Sequence, residues 1–510
     1  MPNNPLADPV QEAFSASLAY NVGRLREMLR AEQNEDILVR RVEICGFPAA
    51  LIFIDGMANM TILNENVLEP AMREGRFGGA SEERLDWLVR EVITASGVSR
   101  VEQMDDAITA ILTGGSVLLV EGSAAAAVID AKGFSKRNVE QPINETTIVG
   151  PHEAFVESLR VNLTLLRRTL QSPRFVAEPM NIGQGVKTHC ALVYLDGVAN
   201  EDILNEIRRR INSLNIDYIG SIGTLEQLIE DSPYALVPQM AHTERPDRAT
   251  SYLLSGMALL VLDGSPMVLG MPITVMHMLH TSDLTSMRFP YSTFKSLILL
   301  LGLVVTTLLP AIYVSLMSHH NEVIPLALMT SIHETQSRVP VPLLFEMIFI
   351  GLGFDLINEA GQRMPSALTH GLGVVGALIL GQAVVSADLV SPLIIVVCAV
   401  SGLASLIVPE YGLSIGLRII QATSILVAAL GGFYGLILLF FLAGVELCCM
   451  TSMGVPLAWS ITPGRMHNPD NATRYPVWQQ RIRFYLSQPG QLFRTQGRMR
   501  AWDQGEKGRK

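Results

Sequence analysis

The chain has 510 residues, a formal net charge of −10 and only 17% charged residues, against about 25% in soluble proteins. A net negative charge with no basic face or recognition motif argues against nucleic acid as a partner. The five cysteines form no metal-ligand spacing and no secreted disulfide framework, so they indicate a reducing compartment.

The amino-terminal segment lacks the basic start and apolar core of a cleavable signal peptide. We therefore expect the front portion of the chain to stay in the cytoplasm. The sequence predicts an α+β cytoplasmic domain made of two duplicated α/β subdomains joined by a helix, followed by an all-α polytopic membrane domain. The expected parts are an extension (1–35), a first subdomain (36–150), a linking helix (151–172), a second subdomain (173–290), a membrane domain with four to six helical segments (291–450) and a basic cytoplasmic tail (451–510).

Two stretches of the front half repeat each other. The run ALIFIDGMANMTILNE matches ALVYLDGVANEDILNE, and the shared pattern begins at Leu51 and Leu192, an offset of 192 − 51 = 141 residues. The first part of each run is rich in β-branched and aromatic residues and ends in an Asp-Gly turn. Asn59 and Asn200 then stand where a helix cap is needed. The repeat predicts an internal duplication into two units with small mixed sheets.

Between the copies, apolar residues recur at spacings of three and four from Phe155 to Leu170. This period predicts an amphipathic helix that starts near Pro151. Arg160, Arg167 and Arg168 lie off the apolar stripe. The favoured interpretation is a connecting helix with solvated arginines, and the alternative is a site for an anion or a lipid headgroup.

From Phe294 to Met450 the chain contains five apolar runs separated by short polar or proline-bearing breaks. A run of about 20 apolar residues matches the hydrocarbon thickness of a bilayer when it is helical. The alternative, buried helices of a large soluble protein, fits poorly because such helices are shorter and are not arrayed five in a row. The sequence therefore predicts a polytopic membrane domain.

The arginine-rich tail is expected in the cytoplasm by the positive-inside tendency, and both ends on one side require an even number of crossings. Five runs leave two possibilities. Either the run with Glu346 and Asp355 is re-entrant or interfacial, or the last run from Leu417 is two short spans broken at Gly431 and Gly432.

Ionisable groups inside a bilayer are costly, so they are candidates for function. Glu346, Asp355 and Glu359 suit mostly one side of a single helix, and an excess of acids favours cations. For Glu346 and Asp355 the alternative of charges at headgroup level stays open. Gln382 is a further polar candidate for an ion path or gate.

A stripe of small residues lies next to Gln382, at Gly373, Ala377 and Gly381. This spacing is typical of helices that approach closely in lipid. Tight helix packing is the favoured use, and lining of a pore between subunits is the alternative.

The sequence predicts no catalytic, cofactor-binding or metal site and therefore no enzyme. His333 and Glu334 are not followed by a second His at zinc spacing, and no G-x-x-x-x-G-K-[ST] loop occurs.

Several of these stretches, in this order, resemble the A subunit of the GerA family of spore germination receptors. The resemblance covers roughly residues 35–456. The stretches are GPHEAFVESLRVNLTLLRRTL, ERPDR, LLPAIYVSL, NEVIPLALMTSI with its following VPVP, and VVGALILGQAVVSADLVSPLIIVV.

The resemblance implies an endospore-forming bacterium, the spore inner membrane, a transporter-like B subunit and a lipoprotein C subunit as partners, and a homo-oligomer that forms a nutrient-gated ion channel. It also implies that the positions matching the family motifs couple the soluble part to the membrane. These positions are Glu153, Phe155, Glu157, Arg160, Asn162, Arg167, Arg245, Pro246 and Asp247.

We expect, on this basis, a membrane subunit of a nutrient-sensing germination receptor whose helices switch between closed and cation-conducting states. One alternative is a component of a secondary transporter, which predicts inverted repeats in the membrane half. Another is the sporulation-operon homologue of these A subunits, assisting ion release.

Overall fold

The computed structural model describes residues 12–73, 83–133, 142, 145, 150–279, 284, 287–363, 382–458, 476–480, 483 and 490–491. Over these residues, a front half built on two sheets precedes a helical region. The predicted seam at Gly373, Ala377 and Gly381 lies outside the described residues.

The first sheet has five strands in the order β1-β2-β4-β5-β3, and all of its pairs are antiparallel. The strands are β1 (Ile37–Ile44), β2 (Phe47–Ile54), β3 (Val98–Val101), β4 (Ser116–Val120) and β5 (Ala126–Ile129). The helices around it are α1 (Leu18–Met28), α2 (Met60–Leu63), α3 (Glu69–Arg73), α4 (Arg84–Trp87) and α5 (Met104–Leu112), with π-helical turns at Asn64–Leu68 and Leu88–Val92.

Helices cover both faces of this sheet, because successive side chains of a strand point to opposite faces. Leu51 and Phe53 of β2 pack into a core with α2 to α4. Ile52 and Ile54 pack into a second core with α1 and α5. This arrangement explains why β2 is apolar along its length.

Two predictions for this half were wrong. The sheet was expected to be mixed, but all of its strand pairs are antiparallel. The short strands β3 and β5, which complete it, were not predicted. Residues 12–35, expected as part of an extension, belong to the first unit: Leu18, Val22 and Leu25 of α1 are buried in its core.

The second sheet repeats the architecture of the first. Its order, β6-β7-β9-β10-β8, corresponds strand for strand to that of the first sheet, and its pairs are antiparallel. The strands are β6 (Phe175–Ile182), β7 (Thr188–Leu195), β8 (Ala241–Thr243), β9 (Ala258–Leu262) and β10 (Val268–Met271). Its helices are α7 (Glu201–Ser213), α8 (Ile222–Ile229) and α9 (Pro246–Leu254), and α6 (Leu159–Leu170) lies between the two units.

The predicted helix caps are confirmed. The Asn59 side chain accepts hydrogen bonds from the N–H groups of Thr61 and Ile62, and the Asn200 side chain accepts one from Asp202. Each stabilises a helix start by roughly 1 kcal/mol, because it satisfies an otherwise unpaired donor.

The linking helix is shorter than predicted. The segment before Leu159 is not helical, because its groups are held by other partners. The Phe155 N–H donates to the Glu244 carbonyl (2.7 Å). The Asn162 side chain accepts from the Val156 N–H (2.8 Å) and donates to its carbonyl (2.6 Å). The linker therefore enters the helix only at the Ser158 cap position.

The helical region begins after a short helix that packs on the second sheet. In the described part of the chain, two of its helices are long and apolar enough to cross a membrane, Phe289–His319 and Tyr411–Cys449. The elements are α10 (Val275–Leu279), α11 (Phe289–His319), α12 (Leu326–Gln336), α13 (Leu343–Arg363), α14 (Pro392–Ser405), α15 (Tyr411–Cys449) and the small hairpin β11 (Thr451–Ser452) and β12 (Val455–Pro456).

Helix α15 is a hairpin of two limbs. Gly432 has φ 57° and ψ −143°, which is not a helical conformation. A Cβ on Gly435 would lie 2.9 Å from Val427 Cγ1, so the chain turns back on itself at this point. The turn packs against His319 and His320 at the end of α11. The predicted break at Gly431 and Gly432 is therefore present.

We predict that Gly432→Ala destabilises this hairpin by about 1–3 kcal/mol, because an L side chain is strained at this φ and ψ. Thermal unfolding of the detergent-solubilised chain measures the effect. Gly431→Ala is the matched control, since a Cβ at Gly431 meets nothing within 4 Å. Equal melting temperatures for the two variants would contradict the hairpin.

Candidate coupling site between the second sheet and the helical region

The first limb of α15 starts directly on the second unit. A Cβ on Gly412 would lie 2.8 Å from Pro238 Cγ, and one on Gly416 would collide with the Leu236 carbonyl oxygen. Glycine is needed at both positions because the helix backbone approaches the 236–238 segment closely.

His242 connects the two parts electrostatically. Its Nε2 lies 3.0 Å from Glu226 Oε2 on α8, and its Nδ1 lies 3.5 Å from Glu410 Oε1, at the cap position of α15. Burial alone would lower the pKa of His242, but hydrogen bonds to Glu226 and Glu410 outweigh it and raise the pKa to about 10. At neutral pH the imidazolium therefore bridges two carboxylates from different parts of the fold.

The Arg-Pro-Asp motif lies immediately after β8. Arg245 is 1% exposed, and its Nε and Nη2 donate to Asp247 Oδ1 (3.0 Å) and Oδ2 (2.8 Å). Pro246 occupies the first turn of α9, where its missing N–H costs nothing. Arg248, one turn further on the buried side, pairs with Glu145. Each buried guanidinium thus has a carboxylate, which offsets the cost of removing the charges from water.

The far end of α15 returns to the same unit. Ser452 Oγ donates to the Gln239 carbonyl (2.6 Å) and accepts from the Ile273 N–H (3.1 Å). Asp231 accepts hydrogen bonds from Thr451 Oγ1 and from the Gly454 N–H (3.0 Å).

Asp231 also pairs with Arg210 of α7. Burial alone would raise the pKa of Asp231, but these hydrogen bonds and the arginine hold it below its ordinary value. The carboxylate therefore stays ionised and keeps its bonds to the β11–β12 hairpin.

The junction between the two sheet units is centred on Arg167. It is 3% exposed, and its guanidinium binds both oxygens of Asp36, donates to Asn34 Oδ1 (3.0 Å) and lies 4.5 Å from the Phe175 ring centroid. Asn34 also satisfies the backbone of edge strand β6 at Phe175 and Ala177. The prediction that Arg167 is solvated was wrong, because the first unit supplies a buried partner.

The remaining positions of the linking-helix motif are structural contacts. Arg160 pairs with Asp55 and Arg168 pairs with Glu153. The Glu157 carbonyl accepts the Gly264 N–H (2.7 Å). The motif therefore fixes α6 against both units.

The candidate ion-path acids do not form one group. Glu346 is 1% exposed and its Oε2 accepts the Ser391 N–H (2.9 Å) at the start of α14. Asp355 lies nine residues further, roughly half a turn out of phase, and its Oδ1 is 3.9 Å from Arg418 Nη1. Glu359 and Gln382 are exposed. Within the described residues, no set of three or more His, Cys, Asp and Glu side chains is placed to hold a metal ion.

Sequence reasoning missed His242, Glu226, Glu410 and Arg418. Their partners lie far apart in the chain, so no local spacing reveals them. The available signal was Glu410 itself, an acid directly after Pro409 at the start of an apolar run, where a cap with a cationic partner is plausible chemistry.

Comparison with protein families gives a match over residues 24–485 to the model described as Bacillus/Clostridium GerA spore germination protein. Spore germination protein KA of Bacillus subtilis (strain 168) is 29% identical, over 91% of this chain and 86% of that protein. Spore germination protein GerLA of Bacillus cereus is 30% identical, over 86% of this chain and 91% of that protein.

Among solved structures, the chain is similar to the crystal structure of the N-terminal domain of the A subunit of the Bacillus megaterium spore germinant receptor GerK3. The sequence identity is 25% and the TM-score 0.38, covering 51% of this chain and 96% of that one.

We predict a pH-dependent contribution of His242 to stability. Its pKa rises from about 6.5 in the unfolded chain to about 10 in the folded one. The stabilisation is therefore complete below pH 6.5 and is lost as the pH rises to about 10, by at most about 1.4 kcal/mol per pH unit. Thermal unfolding of wild type and His242→Gln across this range measures the difference, in which other titrating groups cancel. A constant difference between the two would contradict the ion bridge.

We further predict that Gly416→Leu lowers the melting temperature by several degrees, because the new side chain collides with the Leu236 carbonyl and overpacking of this kind costs about 1–3 kcal/mol. Gly444→Leu, on the second limb of the same helix, meets nothing within 4 Å and is the control. A Gly416→Leu variant as stable as the control would show that α15 does not dock on the 236–238 segment.

Proposed function

Because the chain belongs to the GerA family of Bacillus/Clostridium spore germination proteins, we propose that it is the A subunit of a nutrient-responsive germination receptor. Its partners in this proposal are a transporter-like B subunit, a lipoprotein C subunit and further copies of itself. It works by binding and gating and not by catalysis, and it resides in the spore inner membrane. The family match over most of the chain carries this proposal.

The proposed membrane domain has six crossings. Ser414 Oγ donates to the Ser405 carbonyl (3.4 Å), so α14 ends beside the start of α15 and runs towards the second unit. Helix α13 runs the same way, since Glu346 contacts the start of α14 and Asp355 lies beside Arg418 near the start of α15. The six are α11, α13, the apolar run predicted from the sequence between α13 and α14, α14 and the two limbs of α15.

Exposed apolar side chains support membrane insertion. Leu430 is 83% exposed, Tyr434 81% and Ile437 68% at the turn and on the second limb of α15. Contiguous apolar surface of this kind is costly in water and is covered by lipid or by a neighbouring subunit. With six crossings, the front half and the tail lie on the same side, and the arginine-rich tail makes that side the cytoplasm by the positive-inside tendency.

The proposed mechanism couples the two sheet units to the helices through rigid contacts. The second unit holds both ends of α15, and Arg167 joins the second unit to the first. A change at the soluble part that alters these contacts therefore biases the packing of α15 between closed and cation-conducting arrangements. The matching strand order of the two units also supports an origin by internal duplication.

Loss of the gene tests the receptor assignment. We expect spores of the bacterium that carries it to lose release of potassium ions and germination in response to at least one nutrient, with recovery when the gene is restored. Spores without the gene that respond normally to every nutrient, in a strain without related A subunits, would contradict the proposal.

The ion-path assignment is tested by Glu346→Gln. We expect release of potassium ions to slow severalfold at an unchanged amount of protein, because a charge at the path is removed. Glu334→Gln is the control, since Glu334 is an exposed acid that pairs only at the surface with Arg338. Equal rates in the two variants would remove Glu346 from the path and leave the receptor assignment standing.

A further inference from the structure

A cavity lies between α13, α14 and the first limb of α15. Its volume is about 260 Å³, and its wall is mainly apolar. The polar groups that reach it include Asp355 and Asn358 of α13, Ser401 of α14, and Arg418 and Gln421 of α15. A mainly apolar pocket with a few convergent polar groups is typical of a ligand site.

Arg418 is the charged group on the cavity wall whose hydrogen-bonding capacity is left unused by the described residues. Its side chain is 19% exposed, and in the part of the chain that the structure describes it makes no hydrogen bond. Its nearest acid, Asp355, is 3.9 Å away, which is longer than a hydrogen bond. A guanidinium has five N–H donors in a fork that fits a phosphate or carboxylate, and burying it without acceptors is costly. The site therefore calls for an anionic group.

Asp355 restricts which anion fits. Its side chain is 54% exposed and stands beside Arg418, so it repels a ligand that carries only negative charge. A ligand with an anionic group for Arg418 and an ammonium for Asp355 satisfies both residues. The opposed charges thus select a compact zwitterion.

The mouth of the cavity indicates where this ligand comes from. Ile348, Leu352 and Leu426 line the cavity and are 41%, 57% and 47% exposed, so the opening lies among apolar side chains on the outer surface of the bundle. A water-soluble ligand would have to arrive through that apolar surface, whereas a lipid is already there.

The depth of Arg418 agrees with a lipid headgroup. Ser424 Oγ donates to the Thr307 carbonyl (3.0 Å), which fixes the level of the first limb of α15 against α11. Arg418 is six residues nearer to the second unit, roughly 9 Å. Its guanidinium therefore reaches towards the headgroup layer on the side of the second unit, as long basic side chains do.

We propose that this cavity binds one phospholipid with a primary-amine headgroup, of the phosphatidylethanolamine type, from the leaflet next to the second unit. Arg418 holds the phosphate, Asp355 accepts hydrogen bonds from the ammonium, and the acyl chains pass over Leu352 and Leu426. The bound lipid ties α13 to the first limb of α15, the limb that Glu410 joins to the soluble part. The proposal rests on the membrane placement proposed above.

The test uses the full chain purified in a neutral detergent and stripped of lipid. Phosphatidylethanolamine, phosphatidylcholine and phosphatidylglycerol with identical acyl chains are titrated separately, and the lipid retained on the protein and the melting temperature are measured. We expect half-saturation with phosphatidylethanolamine at a concentration roughly tenfold lower than with the other two, a difference typical of one charge-assisted hydrogen bond. Phosphatidylcholine has no N–H to donate, and Asp355 repels phosphatidylglycerol.

Four variants separate the contributions. Arg418→Gln weakens retention of all three lipids, because it removes the partner of their shared phosphate. Gly351→Leu does the same with both charges in place, because a Cβ at Gly351 enters open space on the cavity wall. Leu also has the better helix propensity, so that variant is expected to fold. Asp355→Asn raises the affinity for phosphatidylglycerol to that for phosphatidylethanolamine. Arg338→Gln, outside the cavity, leaves the preference unchanged.

Equal retention of the three lipids by the wild-type chain, or undiminished retention of phosphatidylethanolamine by Arg418→Gln, would overturn the proposal. Flotation with phosphatidylcholine vesicles distinguishes this from failure of the membrane placement. A chain that does not float with vesicles contradicts the placement, whereas one that floats but shows no lipid preference contradicts the lipid site alone.

Discussion

The structure depends on one constraint: both ends of the long apolar helix α15 are held by the same soluble unit. A straight helix of 39 residues would be about 58 Å long, and its two ends could not both reach that unit. The break at Gly432 resolves this by turning the helix into a hairpin. Glu410 then meets His242 at one end, and Thr451 meets Asp231 at the other.

Because of this double attachment, a movement of the second unit is transmitted to α15. The contact at one end is the ion bridge between His242 and Glu410, and those at the other end are hydrogen bonds from Thr451 and Gly454 to Asp231. They are geometrically specific, and a shift of the unit that breaks one leaves a charged group with fewer partners. Geometrically specific contacts of this kind favour two discrete arrangements over gradual sliding, which is what the proposed gating requires. Arg167 binds Asp36 at the junction between the two sheet units, so the first unit is connected to the second in a similar way.

Features that depend on the conformation of one or two residues could be predicted from the sequence. The Asp-Gly turns, the caps at Asn59 and Asn200 and the break at Gly431 and Gly432 follow from the conformational preferences of single residues. The short strands β3 and β5 were missed because strands this brief carry too little alternation to detect. The predicted start of the linking helix was too early. The apolar period continues through Phe155, but the backbone N–H of Phe155 donates to the Glu244 carbonyl and not to a helical partner.

The sites that depend on distant pairing could not be predicted. His242 and Arg418 have no distinctive neighbours in the sequence, and their significance comes only from Glu226, Glu410 and Asp355, which the fold brings to them. Family resemblance indicated the proposed function but not these contacts. The claim that α15 is a hairpin with both ends at the second unit can be tested directly. The measurement is the distance between spin labels at Tyr411→Cys and native Cys448, in a Cys449→Ser background of the reconstituted full chain. The account predicts less than about 30 Å for a hairpin, whereas about 55 Å, the length of the intervening residues as one straight helix, would contradict it.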